Sequence, residues 1–130
     1  MFVHGLNPLN RDEYPYLAWT HEDGTFWPKD LFPRTFPDSR VLLFGYNSSV
    51  ALGVSKLHIH DHAKDLLERL SDSRSLPKEV GRRPVVFIAH SLGGLVVKQV
   101  PTNLVPRALL RVALTSCHHR HWLTRPLILG

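Results

Sequence analysis

The chain has 130 residues, enough for one domain with a modest hydrophobic core. Its net charge of +5 is unevenly distributed, because residues 101–130 hold four arginines and no acidic residue. A short basic end does not make a charged face, so we expect no nucleic-acid binding. The single cysteine, Cys117, excludes an internal disulfide, and no apolar run approaches the roughly 18 residues that a transmembrane helix needs.

The first part of the chain predicts two strands separated by a long loop. Residues 2–4 look like the end of a strand, and because the His4-Gly5 turn follows so soon, we expect that strand to begin before this polypeptide. Residues 10–37 are rich in proline, and their tryptophans are predicted to pack into the core, with a place in a substrate-binding wall as the alternative for Trp19 or Trp27. Pro28 is predicted to open a short helical turn. The continuous apolar run over residues 40–46 predicts the second strand.

The second part predicts a helix, a strand and a further helix. An apolar stripe with helical spacing favours a helix packed on a sheet, and its members are Ile59, Ala63, Leu66, Leu67 and Leu70. Val85–Ala89 is short, apolar and β-branched, as buried parallel strands are. The order of elements predicts an α/β fold with at least three parallel strands joined by right-handed crossovers.

The turn after the third predicted strand carries a serine in a recognisable setting. Ala89-His90-Ser91-Leu92-Gly93 matches the Gly-x-Ser-x-Gly pattern of a nucleophile elbow except at its first position, where alanine is the smallest departure from glycine. In such an elbow, a strained turn from strand to helix exposes the serine hydroxyl above the sheet. An ordinary Ser-Gly turn after a buried strand is the alternative.

Three stretches carry a resemblance to a known family. Residues 89–99, 2–6 and 19–27 are similar to the lipase-like serine active-site-containing family of serine α/β-hydrolases. The resemblance implies an incomplete α/β-hydrolase fold, a parallel sheet with a nucleophile elbow, and hydrolysis of a small-molecule or lipid ester without a cofactor. It makes Ser91 the nucleophile and the backbone N–H groups of Leu6 and Leu92 the oxyanion hole. The supporting motif residues are His4, Gly5, His90, Gly93 and Gly94.

The resemblance also implies a cellular context. Members of this family are associated with mitochondrial or endoplasmic reticulum membranes, or form the front part of larger multidomain proteins. A membrane-associated or multidomain context is therefore an expectation for the full-length protein. The 130 residues themselves carry no feature that assigns a compartment.

The remainder of a serine hydrolase triad is missing from the sequence. In α/β-hydrolases the acid and then the histidine follow the serine, yet no aspartate or glutamate occurs after Ser91. His118, His119 and His121 follow it too soon to match the family pattern. We therefore expect the chain to be inactive on its own, with residues 1–99 forming a partial hydrolase domain and residues 100–130 a poorly ordered tail outside the family. The alternative function is a non-catalytic, hydrolase-like module that binds a lipid or a protein.

The histidine-rich stretch from His58 to His62 raises a third possibility. His58, His60, Asp61 and His62 are residue types that bind zinc, but their spacing is one residue short of the His-x-His-x-Asp-His loop of binuclear zinc hydrolases. A catalytic zinc needs three converging protein ligands, whereas at the start of a helix His60 lies on a different face from His58 and His62. We expect no metal site here.

Overall fold

A computed structural model describes residues 1–49, 56–74, 84–100, 110–114 and 127–128, the last two ranges as backbone only. The strands form one five-stranded sheet, and helices lie between the first three strands along the chain. The strands are β1 (Phe2–Val3), β2 (Leu43–Phe44), β3 (Val85–Ala89), β4 (Leu110–Leu114) and β5 (Leu127–Ile128). The helices are α1 (Tyr14–Leu17), α2 (Trp27–Asp30), α3 (Phe32–Thr35), α4 (Lys56–Arg74) and α5 (Leu92–Lys98). Among the described helices, none is both long and apolar enough to cross a membrane.

The sheet has the strand order β2-β1-β3-β4-β5. Strand β1 lies between β2 and β3 and is parallel to both, so that Val3 is level with Phe44 on one side and with Ala89 on the other. Strand β4 is parallel to β3 along its full length, and β5 is antiparallel to β4. The predicted α/β class and its parallel strands are therefore confirmed, with the carboxyl ends of β1 and β3 at the same edge.

Apolar side chains cover both faces of this sheet. Because successive strand residues point to opposite faces, Val3 and Ala89 join one cluster while Phe2 and Ile88 join another. The first cluster is completed by helices α4 and α5, and its helical members include Ala63, Leu66, Leu70, Val96 and Val97. The second is covered by the long loop, whose contributors are Trp19, Phe26, Trp27 and Phe32. Trp19 is a buried core residue, as predicted, and the partly buried Trp27 packs against the same cluster.

Strand β2 is shorter than the sequence indicated. The apolar run predicted a strand over residues 40–46, but only Leu43–Phe44 is paired. The partner explains the difference, because β1 offers only Phe2–Val3 for the ladder. The remaining residues of the run still approach β1 through single bonds, such as the one from the Phe2 N–H to the Leu42 carbonyl at 2.7 Å.

Proline opens all three short helices of the loop between β1 and β2. Pro15, Pro28 and Pro33 each occupy one of the first two positions of α1, α2 and α3. Proline fits there because its fixed φ suits a helix and its missing N–H would have had no intrahelical acceptor. The turn at Pro28 was predicted, whereas the other two were not.

Helix α5 ends at Lys98, shortly before Pro101 in the sequence, a residue type that cannot continue a helix because it lacks a backbone N–H. Beyond it, the described backbone consists of β4 and β5, which extend the sheet from β3. Most of residues 101–130 lie outside the described residues. The division into a partial hydrolase domain and a tail outside the family therefore stays a prediction.

Candidate active site

Ser91 occupies the junction between β3 and α5 in an unusual backbone conformation. Its φ of 53° and ψ of −129° are sparsely populated by residues other than glycine. The Gly94 N–H donates to the Ser91 carbonyl at 3.0 Å, and the Gly93 N–H donates to the His90 carbonyl at 3.0 Å, so that the helix begins immediately after the serine. Such a tight turn presents the Ser91 side chain to solvent, and this residue is exposed.

Two glycines let the segments around Ser91 approach each other. A Cβ atom on Gly5 would lie 2.8 Å from the Ser91 Cβ and 2.9 Å from the His90 ring, so the His4-Gly5 turn lies directly against the serine. A Cβ atom on Gly93 would lie 2.5 Å from the Val3 carbonyl oxygen and closer still to that of His4. Side chains at either position would push β1 away from α5. The structure thus brings together the His4-Gly5 turn and the Ser91 turn, which follow the parallel strands β1 and β3.

His90 connects the elbow to the loop after β1. Its Nε2 accepts a hydrogen bond from the Gly5 N–H at 3.2 Å, which requires a neutral ring with its proton on Nδ1. The ring also packs edge-on against Trp19, with centroids 5.1 Å apart. Burial, assisted by the nearby His4, lowers the pKa of His90 to about 4. His90 is therefore a neutral acceptor that holds the Gly5 backbone.

His4 is buried and fully engaged. Its Nδ1 lies 2.8 Å from the Gly5 carbonyl oxygen, and its Nε2 accepts the Tyr46 N–H at 3.4 Å. The two contacts together place the proton on Nδ1, which donates to Gly5. The ring stacks on Tyr46 with centroids 4.5 Å apart, and burial lowers the pKa of His4. His4 is a structural histidine of the loop rather than a free base.

Within the part of the chain that the structure describes, no acceptor competes for the amides that the resemblance assigns to an oxyanion hole. Among the described residues, neither the Leu6 N–H nor the Leu92 N–H donates a hydrogen bond. Both belong to residues that directly follow the close pair Gly5 and Ser91. Donors left unpaired in this way can bind a negatively charged oxygen, provided that the oxygen reaches about 3 Å from them.

The site lacks a base within the part of the chain that the structure describes. No side chain there hydrogen-bonds to the Ser91 hydroxyl. The two nearest histidines use their Nε2 atoms to accept backbone N–H groups. His118, His119 and His121 lie outside the described residues.

Two residues near the site were not singled out from the sequence. Tyr46 and Ser48 follow β2 and are buried, and their hydroxyls donate to the carbonyls of His4 at 2.9 Å and of Gly5 at 2.8 Å. The only available sequence signal was their position at the carboxyl end of a predicted strand, which is where the ligands of open α/β sheets bind.

The histidine-rich stretch begins helix α4 and does not converge on a metal. His58, His60 and Asp61 are exposed, while the half-buried His62 ring packs 4.8 Å from that of Tyr46. Within residues 1–49, 56–74 and 84–100, no group of three or more histidine, cysteine, aspartate or glutamate side chains is arranged to hold a metal ion.

We expect Ser91→Gly to raise the free energy of unfolding by about 1 kcal/mol. A positive φ at a residue other than glycine costs about 1–3 kcal/mol, and the greater chain entropy of unfolded glycine offsets part of the gain. Urea unfolding followed by tryptophan fluorescence would measure the change. Asn10→Gly is the control, since Asn10 also has a positive φ of 47° but asparagine tolerates it, so its gain should be smaller. A destabilised Ser91→Gly chain would contradict strain at the elbow.

Comparison of the sequence with known proteins gives partial matches. The chain is 34% identical over 113 aligned residues to Protein SERAC1 of Danio rerio, and 32% identical over 121 residues to Protein SERAC1 of Bos taurus and of Homo sapiens. The chain is similar to part of SERAC1. Each alignment covers 77% of this chain, and the chain spans only 17% of the length of each relative. No family model and no solved structure matches the chain.

Proposed function

We propose that this chain contains the nucleophile half of a serine ester hydrolase site. The observation that carries the proposal is the exposed Ser91, held at φ 53° where β3 meets α5, with Gly5 directly against it. This is the strained strand-to-helix turn that nucleophilic serines occupy in α/β-hydrolases. The resemblance of residues 89–99 to a lipase-like family makes a carboxylic ester with an apolar, lipid-like part the favoured substrate.

The proposed reaction transfers the acyl group of the ester to Ser91 and then hydrolyses it. The Ser91 hydroxyl oxygen attacks the ester carbonyl, and its proton passes to a base. The carbonyl oxygen becomes an oxyanion that accepts hydrogen bonds from the N–H groups of Leu6 and Leu92. The ester alkoxide then leaves with a proton and the acyl group stays on Ser91, from which water releases it as a carboxylic acid. The acid and base of the triad would come from outside the described residues.

Labelling with a fluorophosphonate probe tests whether Ser91 is nucleophilic. We expect the 130-residue chain to be labelled slowly, because the described residues supply no base, and Ser91→Ala to lose the label completely, because the probe's phosphorus bonds to the serine oxygen. Intact mass spectrometry would record one adduct per chain. Ser39→Ala is the control, since Ser39 is also exposed but its hydroxyl donates to the Phe36 carbonyl at 2.7 Å, and it should label like the wild type. Labelling that survives in Ser91→Ala, or none in the wild type, would contradict the proposal.

A non-catalytic binding module is the second candidate, and one observation favours it. No aspartate or glutamate follows Ser91, and a module that only binds would tolerate the loss of an acid and a base. The two candidates differ in what happens to an apolar ester. A hydrolase releases acid and alcohol at a rate that depends on Ser91, whereas a binding module retains the intact ester equally well in Ser91→Ala.

A further inference from the structure

The loop after β1 presents two successive peptide groups that are held differently. In the first, between His4 and Gly5, the carbonyl accepts the Tyr46 hydroxyl at 2.9 Å and the N–H donates to His90 Nε2 at 3.2 Å. In the second, between Gly5 and Leu6, described residues hold the carbonyl alone. Two donors approach it, the Ser48 hydroxyl at 2.8 Å and His4 Nδ1 at 2.8 Å. The Leu6 N–H has no acceptor among the described residues.

Planarity connects the held carbonyl to the free N–H. A peptide group is rigid, and in its trans form the C=O and N–H bonds point in opposite directions. The described backbone contains no cis peptide bond. Two hydrogen bonds at the Gly5 oxygen therefore fix the plane of the peptide and, with it, the direction of the Leu6 N–H. Because the Gly5 Cα lies against Ser91, that N–H belongs to the peptide group that adjoins the contact with the proposed nucleophile.

The Ser48 side chain is placed to act on the Gly5–Leu6 peptide. The residue is only 3% exposed and lies four positions after the end of β2, opposite the loop. Its own carbonyl accepts the Asn7 N–H at 3.3 Å, so Ser48 contacts the loop on both sides of Leu6. A buried hydroxyl donor also polarises the peptide that it binds, which strengthens the N–H at the opposite end as a donor.

We propose that Ser48 is a positioning residue for the oxyanion hole, which orients and polarises the Leu6 N–H through the Gly5–Leu6 peptide. The inference rests on the proposed hydrolase function, because it assigns a purpose to an N–H that acts only if an oxyanion forms. Ser48 does not touch the reacting atoms. Its effect is transmitted through one peptide group, and Tyr46 supports it by holding the preceding peptide.

Ser48→Ala tests the proposal with two independent readouts. The first is the second-order rate of fluorophosphonate labelling at Ser91. We expect a decrease on the order of tenfold, below the roughly 100- to 1,000-fold loss that follows removal of an oxyanion-hole donor. The second is the Leu6 amide resonance in a ¹⁵N–¹H spectrum of the chain, which should shift upfield as its N–H becomes a weaker donor. The matched control is Ser73→Ala, which removes a hydroxyl that donates to the Leu70 carbonyl at 2.8 Å on α4.

Each result decides between the two proposals. Slower labelling together with a shifted Leu6 resonance, both absent in Ser73→Ala, would support the role of Ser48. Normal labelling in Ser48→Ala would overturn that role and leave the proposed function standing. If the wild type is not labelled, the proposed function fails, and an unshifted Leu6 resonance would then overturn the positioning role as well. If Ser48→Ala does not fold, Ser48→Cys replaces it, because a thiol fills the site but donates weakly.

Discussion

Gly93→Ala is expected to lower the free energy of unfolding by at least about 3 kcal/mol, the upper end of what overpacking usually costs. The added Cβ would lie 2.5 Å from the Val3 carbonyl oxygen and closer to that of His4, and real Cβ atoms do not approach other atoms so closely. These neighbours are backbone atoms of β1 and of the turn after it, so they cannot rotate away as a side chain could. Either β1 must shift relative to β3 or helix α5 must move off the sheet.

Urea unfolding followed by circular dichroism would measure this loss. Gly24→Ala is the matched control, because a Cβ on Gly24 meets nothing within 4 Å and only its φ of 87° opposes the change. That strain alone costs roughly 1–2 kcal/mol. We therefore expect Gly93→Ala to be clearly the more damaging of the two. Equal losses at the two positions would mean that β1 and α5 are not in close contact.

The sequence predicted those parts of the fold that depend on local patterns. The helical stripe that includes Leu66 and Leu70 gave helix α4, and the apolar run Val85–Ala89 gave β3 with its observed bounds. Strand β2 was predicted too long, since the length of a ladder depends on both strands and its partner β1 pairs only through Phe2–Val3. The pattern of apolar residues predicts where a strand can form, whereas the number of paired residues also depends on the neighbouring strand.

The candidate site was predicted only in part, for a similar reason. The turn at Ser91 and the turn at Gly5 each follow a predicted parallel strand, so their meeting at one edge could be expected from topology. The hydrogen bond from Ser48 to Gly5 joins residues 43 positions apart, and it depends on how the segment after β2 lies against the loop. No local pattern contains that information. His90 illustrates the same limit, because its bond to the Gly5 N–H spans 85 positions.

The stability of the chain is expected to fall by about 3 kcal/mol between pH 7.5 and pH 4 because of His90. The pKa of this histidine is lowered from its ordinary value of 6.5 to about 4, chiefly by burial. The unfolded chain therefore binds a proton below pH 6.5 that the folded chain does not accept until about pH 4. The stabilisation is fully present above pH 6.5 and is lost as the pH falls from 6.5 towards 4. His4, whose pKa burial also lowers, acts in the same direction.

The chemical reason is that a protonated His90 can no longer accept the Gly5 N–H. The hydrogen on the protonated Nε2 would point at the hydrogen of the Gly5 N–H, whose nitrogen now lies 3.2 Å away. The Gly5 loop would therefore have to move. His90→Gln retains an acceptor that does not titrate, and we expect it to flatten the dependence of the unfolding free energy on pH. His60→Gln makes the same change at an exposed histidine of α4 and should keep the wild-type profile.

A profile for His90→Gln that matches the wild type would contradict this account. The same measurement bears on the proposed site, because the loop that His90 holds carries the Leu6 N–H directly after Gly5. If acid releases Gly5, labelling of Ser91 should decline over the same pH range in which stability is lost. Labelling of His90→Gln should then decline less over that range, since the retained acceptor still fixes the loop beside the serine.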